Sequence, residues 1–341
     1  MKHDSELLLE VQNLSKRYPL RRRKPLAPRE YVFAVNDISL SLRRGETLGI
    51  VGESGCGKTT LARCILRLLE PTEGRILLRG QDVTHLRGRA LREARRSMQF
   101  VFQDPYSSLD PRLRARELVR EPLDALGKLS RTEADAQALG LLERVGLSAT
   151  QARQFPHEFS GGQRQRIGIA RALALRPQLV VADEPVSALD VSVRAQILNL
   201  MADLRQEFGL SYLIISHDLA IIEYVCDRVA IVYLGRIVEY GSVERIFQDP
   251  RHPYTRALLA AIPRPDPSVP SRAEDIVGDL PNPSSPPSGC AFHPRCPYAQ
   301  PICTKSVPPL TPMQAELLTS GGERQVACFF ADTLPPIEVV S

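Results

Sequence analysis

The run Gly52-Glu-Ser-Gly-Cys-Gly57-Lys58-Thr59 constrains this chain more than any other feature. It follows the short apolar stretch Thr47–Val51, which reads as a buried strand that ends abruptly at Gly52. It precedes Lys58–Leu69, where Leu61, Ile65, Leu68 and Leu69 recur on one side of a predicted helix that Pro71 stops. Strand, G-x-x-x-x-G-K-[ST] loop and helix in that order make a phosphate cradle. Glycines let the backbone curl with its N–H groups pointing inward, and the helix turns its positive end to the anion. Gly52, Ser54, Gly55, Cys56, Gly57, Lys58, Thr59 and Thr60 are therefore candidate nucleotide contacts, with Lys58 for the β- and γ-phosphates and Thr59 for Mg2+. As possible metal ligands, Cys56 in the loop and Cys64 on the helix read as bystanders.

At 341 residues and 24% charged, the chain suits one large domain with an appendage. No apolar run reaches the ~18–20 residues that a spanning helix needs, and Met1–Glu10 carries acids rather than the apolar core of a secretory signal. A cytosolic placement is expected, so seven cysteines argue against a disulfide framework and leave metal or cluster ligation as the alternative. The net charge of +5 is modest. Its densest basic run, Arg21-Arg22-Arg23-Lys24, lies in a proline-containing insertion over 19–34 and reads as a solvated loop rather than a nucleic-acid contact; attraction to anionic lipid headgroups is a further reading.

Residues 7–12 and 35–42 alternate like strands, and further strands are predicted at Leu179–Ala182, Leu213–Ser216 and Val229–Leu234. The stretch 112–147 reads as helices, Arg131–Val145 most clearly, which places a helical insertion in an α/β domain with a largely parallel, two-sided sheet. No repeat of 20–50 residues is present, which excludes a solenoid. After about residue 245 prolines crowd 263–287 and 297–312, the composition of a tail with little core of its own.

Several predicted strands end in chemistry-bearing residues. Leu179–Ala182 runs into Asp183-Glu184 at the edge where ligands of parallel sheets gather. Successive side chains at a strand end diverge, so one carboxylate can face Mg2+ while the next faces the water attacking a γ-phosphate. Asp183 is assigned to the metal and Glu184 to the water, as general base or positioner; alone, such a pair is as often only a helix cap or solvated turn. His217 follows Tyr212–Ser216 and is a candidate γ-phosphate contact, where a lone histidine would otherwise be structural. Gln103 ends the strand-like Met98–Phe102, placing an amide oxygen for Mg2+.

Phe159-Ser160-Gly161-Gly162-Gln163 precedes a predicted helix, Arg164–Arg176, stopped by Pro177. Its free N–H groups, serine hydroxyl and dipole make a second anion-binding helix start. Two phosphate sites in one chain are both used if chains pair head to tail, each covering its partner's nucleotide.

Over residues 7–245 the sequence resembles the ABC ATPase family. The resemblance implies a P-loop NTPase (RecA-like) nucleotide-binding domain over 1–245, with a helical subdomain at about 106–165 and an antiparallel β subdomain, followed by a Cys-containing C-terminal extension over 246–341. It makes Gly52–Thr60 the Walker A loop, Gln103 the Q-loop, and Phe159–Gln163 the signature, with Phe159 where the family usually has leucine. It makes Val180–Glu184 the Walker B segment, Ser187–Asp190 the D-loop with Asp190 at the site, His217 the switch, and Tyr18 an adenine-stacking aromatic.

Gln103-Asp-Pro-Tyr-Ser-Ser-Leu-Asp-Pro111, Arg251-His-Pro-Tyr-Thr-Arg256 and Gly289-Cys-Ala-Phe-His-Pro-Arg-Cys296 look like the F-type ATPase subunit of oligopeptide/dipeptide importers. That likeness implies import of peptides, or in related systems nickel, glutathione or oligosaccharide; the rival readings are an exporter's nucleotide subunit and a non-transport ABC ATPase. It implies a heterodimer with a second, paralogous ATPase beneath two permease subunits, whose coupling helices meet the helical insertion, and an extracytoplasmic binding protein. It implies no nucleic-acid partner and a peripheral place on the cytoplasmic membrane face. Cys290, Cys296, Cys303 and Cys328 follow a C-x5-C-x6-C-x24-C spacing that suits four thiol ligands without choosing between zinc, an iron–sulfur cluster and free thiols. Similar tails in the family are associated with a [4Fe-4S] cluster, and the resemblance favours one here.

Overall fold

The computed structural model describes residues 6–20, 30–262, 278–313 and 324–335. The basic run 21–24 and most of the first proline-crowded stretch lie outside them.

Two long strands, β1 (Leu7–Pro19) and β2 (Tyr31–Arg43), open the chain, and β3 (Thr47–Val51) leads into α1 (Lys58–Ile65). After α1 come β4 (Glu73–Leu78), β5 (Gln81–Asp82), α2 (Gly88–Arg96) and β6 (Met98–Val101). A helical group follows: α3 (Pro105–Ser108), α4 (Ala115–Leu126), α5 (Arg131–Arg144) and α6 (Gly161–Leu173). The chain then alternates β7 (Leu179–Asp183), α7 (Val191–Phe208), β8 (Ser211–Ser216), α8 (Leu219–Val225), β9 (Arg228–Tyr233) and β10 (Arg236–Ser242). Helices α9 (Val243–Gln248), α10 (Pro253–Ala260) and α11 (Pro301–Lys305) and the short strands β11 (Thr311–Pro312) and β12 (Gln325–Val326) complete it.

Strands β2-β1-β4-β5 form an antiparallel sheet, and the main sheet runs β11-β12-β10-β9-β3-β8-β7-β6. Within the main sheet β9, β3, β8, β7 and β6 are parallel neighbours. Strands β3, β7 and β8 are buried along their whole length, as expected of parallel strands covered on both faces. Alternation then divides each strand between two cores. Val51, Val180, Ala182, Tyr212 and Ile214 pack with the α4–α7 side. Leu48, Ile50, Leu179, Val181, Leu213 and Ile215 pack with α1 and the antiparallel sheet.

Three helices differ from expectation at their boundaries. Helix α1 stops at Ile65, not Leu69, because Arg67 turns left-handed (φ 55°) and its buried guanidinium donates to the carbonyl of Val83. Helix α6 begins at Gly161, three residues before the predicted Arg164, because Ser160 caps it; it ends at Leu173, and Arg176 is left-handed before Pro177. Helix α5 ends at Arg144, one residue short of the predicted Val145.

The C-terminal extension is built into the main sheet. β12 pairs with β10, and Phe292 lies in the larger core. Glu239 on β10 is fully buried and accepts hydrogen bonds from Arg324 Nη2 at 2.6 Å and from the backbone N–H groups of Arg251 (3.0 Å) and His252 (2.9 Å). Deleting one member of a buried, hydrogen-bonded ion pair strands the other charge. Glu239→Ala is therefore expected to cost about 3–5 kcal/mol in urea unfolding and to expose residues 278–313 to proteolysis.

Candidate nucleotide site

The parallel register sets the site. Val51 pairs with Ser216, Ile215 with Asp183, and Ala182 with Val101, so the residues just past β3, β8, β7 and β6 meet at one sheet edge. These are Gly52, His217, Glu184 and the Phe102-Gln103 pair.

The loop after β3 is shaped by glycine at two contacts. A Cβ on Gly52 would lie 2.1 Å from the carbonyl oxygen of Val232, and one on Gly57 (φ 104°) would lie 1.8 Å from that of Ala34. Only glycine fits either position. Gly57 also precedes α1 with no side-chain cap, which leaves the helix's first N–H groups for an anion. The Lys58 ammonium is buried and donates to the carbonyls of Gly52 (2.6 Å) and Glu53 (2.9 Å), with Cys56 Sγ at 3.8 Å. Burial raises the Cys56 thiol pKa against the pull of Lys58, and burial lifts Cys64 to about 11, so both thiols stay protonated.

Glu184 is held from two sides. Gln103 Nε2 donates to Oε2 at 2.9 Å, and His217 Nδ1 lies 3.0 Å from Oε1. The residue is left-handed at φ 46°, an unusual conformation for glutamate, and its N–H is tied to the carbonyl of Ile215 at 2.9 Å. Such strain is kept where surrounding structure imposes it, most often at functional sites. With its amide nitrogen on Glu184, Gln103 leaves its oxygen for another partner.

Asp183 is almost fully buried. Its Oδ1 has no hydrogen-bond partner, and the Thr59 hydroxyl is near enough to the carboxyl group to favour its ionised form. An orphaned buried carboxylate oxygen beside a threonine hydroxyl fits an Mg2+ ligand pair, because a cation would satisfy the oxygen and offset its lost hydration.

Ser160 and Gln163 form a reciprocal cap on α6: Ser160 Oγ accepts from the Gln163 N–H at 3.3 Å, and Gln163 Oε1 accepts from the Ser160 N–H at 3.0 Å. Gly162 packs so tightly that a Cβ would sit 2.5 Å from Val193 Cγ1, and Gly161 faces Leu189 of the Ser187–Asp190 turn. Asp190 starts α7. Tyr18 lies on β1 opposite Val32, with 39% of its surface exposed and Lys16 Nζ over its ring at 5.3 Å. Thus Gln103, Asp183, Glu184 and His217 converge beside the phosphate loop, while Ser160–Gln163 stand on the helical layer.

Cys290, Cys296, Cys303 and Cys328 all line one small apolar cavity of about 20 Å³, with Phe292, Tyr298 and Phe330. Yet among the described residues no group of three or more His, Cys, Asp or Glu could hold a metal ion. The expected convergence is present, but the expected metal-ligating geometry is not. Burial pushes Cys296 to about 12 and Cys328 to about 11, and raises Cys290, so these thiols are protonated and must lose protons before binding a metal. Burial likewise drops His252, which borders the cavity, to about 3 and keeps it neutral.

Contacts with Glu53 were missed from sequence. Its N–H donates to Tyr254 Oη at 2.9 Å, and Arg295 Nη1 reaches both of its carboxylate oxygens at 3.1 Å. In the sequence Tyr254 and Arg295 stand out only as parts of Arg251–Arg256 and Gly289–Cys296; nothing local links either to a loop 201 and 242 positions away.

This loop, strand-end carboxylate pair and capped second helix start define a P-loop ATPase cassette. Family patterns agree: ABC transporter matches residues 35–187, and the oligopeptide/dipeptide transporter C-terminal region matches 238–303. The oligopeptide transport ATP-binding protein AppF of Bacillus subtilis is 49% identical over 310 residues, covering 89% of this chain and 94% of the relative. The dipeptide transport ATP-binding protein DppF of Escherichia coli K12 is 47% identical over 325 residues, covering 95% of each. The dimeric ATP-binding cassette MJ0796, solved in a post-hydrolysis state with ADP and Pi, superposes with a TM-score of 0.62 at 31% identity, over 69% of this chain and 99% of that one. The chain belongs to the ABC transporter ATP-binding subunits of the oligopeptide/dipeptide family, and it is an ATPase.

Burial raises the Asp183 carboxyl above its usual range; Glu184 adds to the rise, and Thr59, Arg63 and Lys58 oppose it. An acid whose folded pKa exceeds its unfolded value of about 3.9 binds more protons when folded, so its ionisation removes stability as pH climbs from that value through the folded one. At pH 7.5 Asp183→Asn is expected to raise the melting temperature of the nucleotide-free chain while removing Mg2+-dependent ATP turnover; a lower melting temperature would show that the carboxylate helps hold the fold.

Proposed function

We propose that this chain powers peptide import across the cytoplasmic membrane, as a peripheral subunit on its inner face that forms an ATP sandwich with a second, paralogous ATPase. The carrying observation is the position of Glu184, braced by Gln103 and His217 beside the loop that bears Lys58. Peptide as cargo is supported by the match of residues 238–303 and by the printed roles of AppF and DppF.

Lys58, the loop N–H groups and the start of α1 bind the triphosphate, with Tyr18 under the adenine. Thr59, Asp183 and the Gln103 oxygen would hold Mg2+, whose charge offsets that of the phosphates when it is bound. Glu184 orients and deprotonates the attacking water. His217 braces that carboxylate through Nδ1 and leaves Nε2 for the γ-phosphate. Ser160, Gly161, Gly162 and Gln163 cover the nucleotide held by the partner, and Asp190 lies at the same junction. Pairing of this kind is supported by the dimeric form of MJ0796.

A surface groove of about 620 Å³ between α4 and the β6 end, lined by Leu68, Phe100, Phe102, Glu121 and Arg171, suits a helix from a permease subunit. Leu68 and Phe102 expose 47% and 41% of their surface there. No helix among the described residues is long and apolar enough to cross a membrane, so such contacts would be how the chain is held there.

A [4Fe-4S] cluster on Cys290, Cys296, Cys303 and Cys328 would require these thiols to lose their protons and rearrange, since among the described residues they form no metal-ligating group. Support comes from four thiols lining one apolar space, soft donors of the kind iron–sulfur clusters take. Its role would be to staple the extension.

A positioned base contributes about 10²–10⁴ in rate. Glu184→Gln should bind ATP normally, trap the closed dimer and hydrolyse at least about a hundredfold more slowly; near-normal turnover would remove Glu184 from the chemistry. Anaerobically purified chain should contain iron and acid-labile sulfide in equal amounts, and the absence of both would remove the cluster.

A further inference from the structure

We propose that Arg295 and Tyr254, both from beyond the nucleotide-binding core, are positioning residues for the phosphate loop, acting through Glu53. The inference rests on the ATP-hydrolysing reading of the site and adds to it a control point in the C-terminal extension.

Glu53 is the second residue of the loop, and each of its polar groups is engaged. Its N–H donates to Tyr254 Oη at 2.9 Å, and its carbonyl accepts from Lys58 Nζ at 2.9 Å. Its carboxylate takes Arg295 Nη1 on both oxygens at 3.1 Å. Lys58 is the residue assigned to the phosphates, so a shift at Glu53 moves the carbonyl that aims the ammonium. Sub-ångström placement of a binding group matters at such a site.

Both outside partners are rigidly held. The Arg295 side chain is 8% exposed, and the same Nη1 donates to Tyr233 Oη at 3.3 Å. Tyr254 is fully buried and packs against Tyr233 and Phe292, with ring centroids at 4.7 and 5.4 Å. A charge pair this poorly hydrated is sensitive to loss of either member, unlike an exposed surface pair. Arg295 directly precedes Cys296, and Phe292 borders the four-thiol cavity, so the segment that carries two of those thiols also clasps the loop.

The readout is ATP affinity, taken on the full-length chain with a fluorescent ATP analogue, beside KM and kcat in the assembled ATPase. Arg295→Gln should weaken ATP binding and raise KM by about tenfold, with kcat changed less than about twofold, the pattern of a lost binding interaction. Arg295→Lys should recover most of the loss. Glu53→Gln should match Arg295→Gln, and the double variant should be no worse than either single one, because both delete one contact. Tyr254→Phe keeps the ring and removes only the acceptor oxygen; it should weaken binding by about threefold, and it decides the matter if Arg295→Gln does not fold.

Unchanged affinity in both Arg295→Gln and Tyr254→Phe overturns the proposal. So does a loss that lysine does not rescue and that adds fully to Glu53→Gln, which would assign Arg295 to general stability of the extension. Absence of turnover in the unmodified chain would count against the hydrolytic reading alone, since the affinity comparison needs no hydrolysis.

Discussion

The parallel hydrogen-bonded ladder from β3 through β8 and β7 to β6 is the constraint on which the site depends. Those strands are remote in sequence, and each ends in a different functional group. Because the register pairs Val51 with Ser216, Ile215 with Asp183 and Ala182 with Val101, a glycine loop, a histidine, two carboxylates and a glutamine emerge at one edge. A slip of one residue in any strand would send its terminal side chain to the opposite face. The fully buried strands prevent that slip, since alternate residues are committed to two different cores.

At that edge the molecule keeps several groups in states that cost stability. Asp183 is buried with one oxygen unpartnered, and Glu184 is left-handed. Lys58 is desolvated and satisfied only by loop carbonyls and a thiol. None of these improves the fold. A magnesium-bound triphosphate would supply a cation for Asp183 and an anion for Lys58. Polar groups left imperfectly satisfied in an otherwise well-packed interior are a signature of a site built for a ligand.

The extension beyond residue 245 is part of this arrangement rather than an ornament. Its strand β12 continues the main sheet, its Arg324 neutralises the buried Glu239, and its Phe292 sits against Tyr233 and Tyr254 behind the phosphate loop. Cysteine-bearing segment and nucleotide loop thereby share one rigid aromatic cluster, which is why the thiol cavity and the ATP site cannot be treated as independent features.

The local sequence was enough to locate the phosphate loop, because strand, glycines and helix are contiguous; the close approaches of Val232 and Ala34 that require Gly52 and Gly57 came only with the tertiary structure. It also singled out Asp183, Glu184, His217, Gln103 and the Ser160 turn as candidates, since each follows an apolar run or opens a helix. It misjudged where α1 ends, because the left-handed turn at Arg67 is fixed by a bond to Val83, on another part of the chain. It could propose that the four cysteines act together, but not how closely their sulfurs approach. The bracing of Glu184 by Gln103 and His217, the orphaned oxygen of Asp183, and the grip of Arg295 and Tyr254 on Glu53 were decided only by tertiary structure. Such contacts join residues separated by as many as 242 positions, and no periodicity or spacing along a chain encodes which distant side chains a sheet register will bring within hydrogen-bonding distance.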